Sequence, residues 1–207
     1  MRPADIVRTC RRRGIDRLAV TDHNAVRGAL ELRALAPELI IVGEEIMTTQ
    51  GELLAYFLSD EVPAGLSPSE TIQRLRAQGA AISVSHPFDR LRHGAWKQAD
   101  LAAILPWVDA IEVFNSRCIY AADNARALAF ADENGTLGTV GSDAHSQREL
   151  GRAVLRLPRA GTAAELIAGL AAAERITRLS SPAIHFTSRW AKFRKRLARL
   201  RRPEERD

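Results

Sequence analysis

The chain is poor in sulfur and has no long apolar run. Two cysteines, Cys10 and Cys118, are too few for a disulfide framework. That leaves a hydrophobic core to hold the fold and points to a reducing, cytoplasmic compartment. No apolar run approaches the length of a membrane span. The opening Met1-Arg2-Pro3-Ala4-Asp5 is not followed by the apolar core of a secretory signal. Internal repeats and low-complexity linkers are also missing. The chain has no Gly-x-Ser-x-Gly elbow to expose a nucleophilic serine, and no glycine-rich loop of the nucleotide or dinucleotide kind. These absences exclude the common serine hydrolases and the common nucleotide-binding folds.

What is present is a chain of 207 residues with an apolar fraction of 46%, enough for one domain with a sizeable core. The net charge of +5 is unevenly placed, because residues 188–202 carry eight Lys or Arg and no acid. The expected division is a catalytic-type domain over 1–180 and a basic amphipathic helix and tail over 181–207. In that helix Trp190, Phe193, Leu197 and Leu200 recur at helical spacing. Its basic face either is solvated or contacts nucleic acid or anionic lipid.

Periodicity and turn residues divide the domain into alternating elements. Helices are expected over 3–13, from an Asn24 cap through roughly 31–36, and over 67–78, 99–105, 121–134 and 163–173 (capped by Thr162). Strands are expected over 16–20, 39–42, 80–85, 109–114, 137–140, 153–157 and 175–179. Residues 45–49 and 52–58 read as a hairpin. Strands alternating with helices imply a parallel α/β sheet. At least five of the strands run out into polar or ionisable residues. In an open sheet such residues gather at one switch point; recurring at nearly every strand, they imply a closed or nearly closed ring.

The residues at those strand ends carry the chemistry. Asp143 and His145 stand two apart after an apolar run, which aims an oxygen and a nitrogen into one pocket if the backbone stays extended. His23, Glu45 and His86 follow other strands. This mixed carboxylate and imidazole set suits Zn²⁺, Mn²⁺ or Fe²⁺, and the lack of cysteine among the candidates argues against a structural zinc site. Arg117, following Asn115, is placed either to clamp a phosphate or to lie solvated in a loop. Arg90, Arg92 and His93 stand in a polar loop with the same two readings. Trp96 and Trp107 read as packing residues, and His185 as a structural one.

In this order, Thr21-Asp22-His23, Gly43-Glu44-Glu45, His86-Pro87, Glu112-Val113-Phe114-Asn115 and Gly141-Ser142-Asp143-Ala144-His145 resemble the motifs of the PHP family (polymerase and histidinol phosphatase domains). The resemblance runs from about residue 3 to residue 157. It implies a distorted seven-stranded β/α barrel that holds up to three divalent ions and hydrolyses phosphoesters by metal-activated water. Carried over, it makes Glu45 a bridge between two ions, Asp143 a ligand of one and His86 of the other, with His23 and His145 sharing a third. Asp143 and Arg117 become the catalytic candidates, and Asn115, Arg117 and Arg90 the substrate-binding ones. The implied substrates are phosphorylated small molecules, nucleotide-like monoesters or diesters, and nucleic-acid ends.

The family opens with a strand bearing His-x-His, which nothing before Pro3 supplies, so the expectation is a barrel lacking its first strand. Members also carry a further histidine between the positions of Glu45 and His86, where this chain has none. Glu52 stands near that place and either substitutes for the histidine or, as the hairpin pattern favours, is a surface residue. A catalytically impaired remnant that binds a phosphorylated ligand or nucleic acid is the competing reading.

Overall fold

The computed structural model describes residues 1–92 and 94–181. His93, His185 and the expected C-terminal basic helix therefore lie outside the described residues.

Six strands form one sheet in sequence order: β1 Leu18–Val20, β2 Ile40–Met47, β3 Glu52–Tyr56, β4 Ala81–Val84, β5 Ala110–Asn115 and β6 Leu137–Gly141. A separate antiparallel pair, β7 Ala153–Arg156 and β8 Glu174–Thr177, follows. The helices are α1 Pro3–Arg12, α2 Arg27–Leu35, α3 Pro68–Ala77, α4 Gln98–Ile104, α5 Ala121–Glu133 and α6 Ala163–Leu170, with a short 3₁₀ turn at Leu105–Trp107.

The sheet is mixed rather than parallel throughout. β1 and β2 run parallel, as do β4, β5 and β6, but β3 is antiparallel to both of its neighbours. The cause is the tight connection after β2. Thr48 Oγ1 accepts hydrogen bonds from the amides of Gln50 and Gly51, and the Thr48 amide donates to the Gly51 carbonyl at 2.9 Å. A link this short can only reverse the chain. The run 39–42 and the first hairpin arm are one continuous strand, because Gly43-Glu44-Glu45 interrupts the apolar pattern without interrupting the pairing.

The sheet curls. Adjacent strands lie about 4.8 Å apart, so strands two positions apart in a flat sheet are separated by about 10 Å. Yet the hydroxyls of Ser83 on β4 and Thr139 on β6 meet at 2.8 Å across β5. The strands thus form a curled half-barrel, not a demonstrated seven-stranded ring.

Alternation along β2 sends neighbouring acids to opposite faces. Glu45 points into the curl, whereas Glu44 is fully buried on the other side, accepting from the Val62 amide at 2.9 Å. Burial pushes the Glu44 carboxyl up to about 7. The main core lies on that outer side: Val42, Ile46, Leu53, Ile82, Val84 and Ile111 of the strands pack against Ile72 and Leu75 of α3, Leu101 of α4 and Ala127 and Phe130 of α5. α6 packs Leu166 and Leu170 on Ala81, Ala110 and Leu137, the first residues of β4, β5 and β6. This covers the N-terminal ends of those strands and leaves the C-terminal ends free to carry chemistry.

Ser67 begins α3 with a reciprocal capping box to Glu70, and Thr162 caps α6. Asn24 does not cap α2, whose N-cap is Val26; its side chain instead accepts from the Met47 amide at 2.9 Å, latching the 21–24 turn to the end of β2. Of the two tryptophans read as packing residues, Trp96 is buried but Trp107 is 65% exposed. Both cysteines are buried and free. Among the described residues no helix is long and apolar enough to cross a membrane.

Two contacts that frame the site give measurable consequences. Asp109 takes a bidentate ion pair from Arg76 at 2.8 and 2.9 Å and accepts from the Ile82 amide at 2.7 Å, tying α3 to β4 and β5. Asp109→Ala is expected to cost about 2 kcal/mol, read as a shift in denaturant midpoint without a change in slope. Gly141 ends β6 directly against Glu112, where an added Cβ would lie 2.1 Å from Glu112 Oε1. Gly141→Ala must displace that buried carboxylate and is expected to cost about 1–3 kcal/mol in thermal or chemical melts; an unchanged melt would contradict the packing described.

Candidate metal centre at the strand ends

Four side chains converge where β2 and β4 finish and β3 begins. Because β3 runs antiparallel, its first residue, Glu52, lies beside the last residues of its neighbours. Glu45 and Glu52 are both buried. Each turns one oxygen toward His23 and the other toward His86. His23 Nδ1 lies 3.3 Å from Glu45 Oε2 and 3.6 Å from Glu52 Oε1. His86 Nε2 lies 3.0 Å from Glu45 Oε1 and 3.3 Å from Glu52 Oε2. Of the two readings of Glu52, the surface residue favoured by the hairpin pattern is overturned, and Glu52 stands among the possible ligands. It is 4% exposed because Gly94 and Trp96 lie on it.

These spacings fit a cation. Donors bound at about 2.0–2.2 Å to one ion stand about 3.0–3.6 Å apart, the range observed between the imidazoles and carboxylates. Among the described residues, His23, Glu45 and Glu52 place one ligand atom each within 4.8 Å of one another. The donor set is nitrogen and oxygen without thiolate, which suits Mn²⁺, Fe²⁺ or Zn²⁺.

The electrostatics are those of a site short of positive charge. Burial alone would raise the Glu45 carboxyl, but the His86 hydrogen bond and charge, with His23 and Ser85, outweigh it and hold Glu45 well below the usual range. Burial would likewise lower His86, yet Glu45 and Glu112 push its imidazole upward. His23 is raised chiefly by its hydrogen bond with Glu52, against burial, with help from the charges of Glu45, Glu52 and Asp143. Ser85 Oγ donates to Glu45 Oε1 at 2.7 Å and fixes that carboxylate.

A second pair, Asp143 and His145, stands beside this cluster. The backbone there is not extended: Asp143 sits at φ 46° in the left-handed region. That turn, rather than strand alternation, brings His145 Nδ1 to 2.9 Å from the Asp143 carbonyl and 3.4 Å from its carboxylate. His86 (φ 21°) and Asn24 (φ 50°) share the left-handed region, so among the described residues three of the four non-glycine residues with positive φ lie at this end of the sheet. Glu149, fully buried, braces the loop by accepting from the His145 amide at 3.1 Å and Ser146 Oγ at 2.8 Å.

The other candidates are drawn to the rim but are engaged there. Asn115 donates to Glu112 at 3.1 Å and accepts from the Arg117 amide at 2.8 Å. Glu112 in turn accepts from the His86 amide at 2.9 Å, which links β5 to the left-handed turn after β4. Arg117 is buried beside Glu149, 3.7 Å away, beneath the 143–149 loop rather than solvated. Arg90 pairs with Asp123 at 2.6 Å and stacks 4.8 Å over the Tyr120 ring. The side chain that does reach the acids is Arg92, which pairs with Asp143.

Comparison with known proteins agrees with this architecture. A family model described as PHP-associated matches residues 121–174. Two proteins of Methanocaldococcus jannaschii, both named as uncharacterized, are similar in sequence. MJ1587 is 36% identical over 118 residues, covering 55% of this chain and 66% of its own length. MJ0417 is 38% identical over 141 residues, covering 67% and 56%. The chain thus spans just under two thirds of one relative and little more than half of the other.

Three crystal structures share the fold. PsfC from Pseudomonas syringae aligns at TM-score 0.67 and 20% identity, over 94% of this chain and 89% of that one. A Bifidobacterium adolescentis protein proposed to be a metal-dependent phosphoesterase aligns at 0.56 and 15%, over 70% and 82%. A two-domain Bacteroides vulgatus protein containing a predicted PHP-like metal-dependent phosphoesterase aligns at 0.53 and 23%, over 66% and 45%. Its ordered strand-end motifs, its PHP-associated segment and this shared fold make the chain similar to proteins of the PHP domain family.

Proposed function

We propose that the chain is a metal-dependent phosphoesterase that hydrolyses a phosphomonoester or phosphodiester, with nucleotide-like molecules or nucleic-acid ends as its substrate class. The observation that carries this reading is the pair of buried carboxylates, Glu45 and Glu52, each shared between His23 and His86. A carboxylate with one oxygen on each side is the arrangement that bridges two divalent ions. The descriptions of the B. adolescentis and B. vulgatus proteins support the same activity. On this reading the six strands are the greater part of a distorted seven-stranded β/α barrel.

Divalent ions held here, Mn²⁺, Zn²⁺ or Fe²⁺, would supply a water of lowered pKa and a clamp for phosphoryl oxygens. The chain's own residues do the rest. Glu45 and Glu52 hold the two positions together, and His23 and His86 close them from either side. Asp143 and His145 offer donors for a further ion at the mouth. Ser85 fixes Glu45, and Glu112 fixes the His86 backbone, so the ligands are oriented before any ion arrives. Arg117 and Asn115 act by positioning the loops that carry Asp143 and His86, and Arg90 is a rim cation for an anionic substrate.

Mn²⁺-supported hydrolysis of a generic phosphomonoester and a phosphodiester tests this, with metal content measured on the same samples. Glu45→Gln and Glu52→Gln are each expected to lower hydrolysis by about 100-fold or more and to reduce bound metal. Full activity in Glu52→Gln would contradict the bridging role. Metal and ligand binding without turnover in the unaltered chain would favour the impaired-remnant reading.

A further inference from the structure

We infer that Arg92 is a built-in cation that competes with a divalent ion for Asp143, so that the strap carrying it sets how tightly the metal centre fills. This inference rests on the metal reading above. The guanidinium of Arg92 is largely enclosed, its side chain 23% exposed, and it pairs with Asp143 Oδ2 on one side and lies 3.5 Å from Asp89 on the other. Its charge also bears on Glu45 and opposes the proton on His86. Arg92 is therefore placed at Asp143, beside the centre, with its charge close enough to act on Glu45.

The strap that delivers it is fixed at both ends. The Asp89 amide donates to the His86 carbonyl, the Arg92 amide to the Asp89 carbonyl and the Trp96 amide to the Pro87 carbonyl, at 3.1, 3.1 and 3.2 Å. Trp96 Nε1 donates to the Glu52 carbonyl at 3.0 Å, and the Glu52 amide donates to the Gly94 carbonyl at 3.2 Å. Gly94 is pressed on the Glu52 carboxylate, where a Cβ would lie 2.3 Å from Oε2. The strap thus crosses one candidate ligand, Glu52, and hands Arg92 to another, Asp143.

Asp143 cannot give the same oxygen to both partners. An ion that takes Asp143 through Oδ2 must displace the guanidinium, exchanging one positive charge for two at that oxygen. Without the ion, Arg92 relieves the repulsion among Asp143, Asp89 and Glu45. With it, the guanidinium is released at the mouth of the site with its fork free for an anionic group.

The test is calorimetric titration of Mn²⁺ into the metal-free full chain and into Arg92→Gln and Arg92→Lys, with melting curves in the presence and absence of Mn²⁺. Arg92→Gln is expected to bind Mn²⁺ about tenfold more tightly, because affinity at such sites follows ligand charge. It should also melt lower than the unaltered chain without metal, with the gap closing at saturating Mn²⁺. Arg92→Lys lacks the guanidinium fork; it should fall between the two and serves as the test if Arg92→Gln does not fold. In an Asp143→Asn background the Arg92→Gln change should move affinity by less than about twofold, since the pair is already broken. Equal or weaker Mn²⁺ binding in Arg92→Gln would overturn the exchange while leaving the metal centre standing. No Mn²⁺ binding in any form would overturn both.

Discussion

Two carboxylates buried face to face are the constraint on which the rest of this structure depends. Glu45 and Glu52 lie side by side on β2 and β3, each nearly out of contact with water. Like charges so placed repel, and burial removes the solvent that would screen them. Positive partners are therefore required, and the chain supplies them from two directions. His23 comes from the turn after β1 and His86 from the turn after β4, while Arg92 meets the neighbouring Asp143. Two buried carboxylates shared between two imidazoles are suited to hold divalent ions.

Among the described residues, the fold gathers most of its left-handed non-glycine backbone at this end of the sheet. α6 covers the first residues of β4, β5 and β6 with leucine side chains. At the other end, His86 and Asp143 are held in left-handed backbone, and buried acids brace them. Glu112 receives the His86 amide, and Glu149 receives the His145 amide. Gly141 has no side chain because Glu112 occupies the space. These are polar contacts inside a curled sheet, and they orient the residues that meet at its mouth.

Much of the fold was legible in the sequence. At least five strands end in polar or ionisable residues, and the turn residues mark most boundaries. What the pattern did not show was direction and depth. β2 reads as two pieces because Gly43-Glu44-Glu45 is polar, although both glutamates are buried on opposite faces. Glu52 follows a glycine in a polar turn and reads as exposed; only the pairing of β3 between β2 and β4, with the strap laid over it, makes it a buried partner of Glu45. Asn24 has the chemistry of a helix cap, but the nearer demand of the Met47 amide claims it. Arg92 was one of three basic residues in a loop, and nothing local separates it from Arg90, which turns instead to Asp123. Such choices are made by contacts between residues distant in sequence, which periodicity does not report.

The most direct measurement is the anomalous scattering of Mn²⁺-soaked crystals of this chain. Two peaks about 3.5–4 Å apart are expected, with Glu45 and Glu52 each reaching both, His23 beside one and His86 beside the other. A single peak touched by only one of the two glutamates, or peaks away from both, would contradict that arrangement.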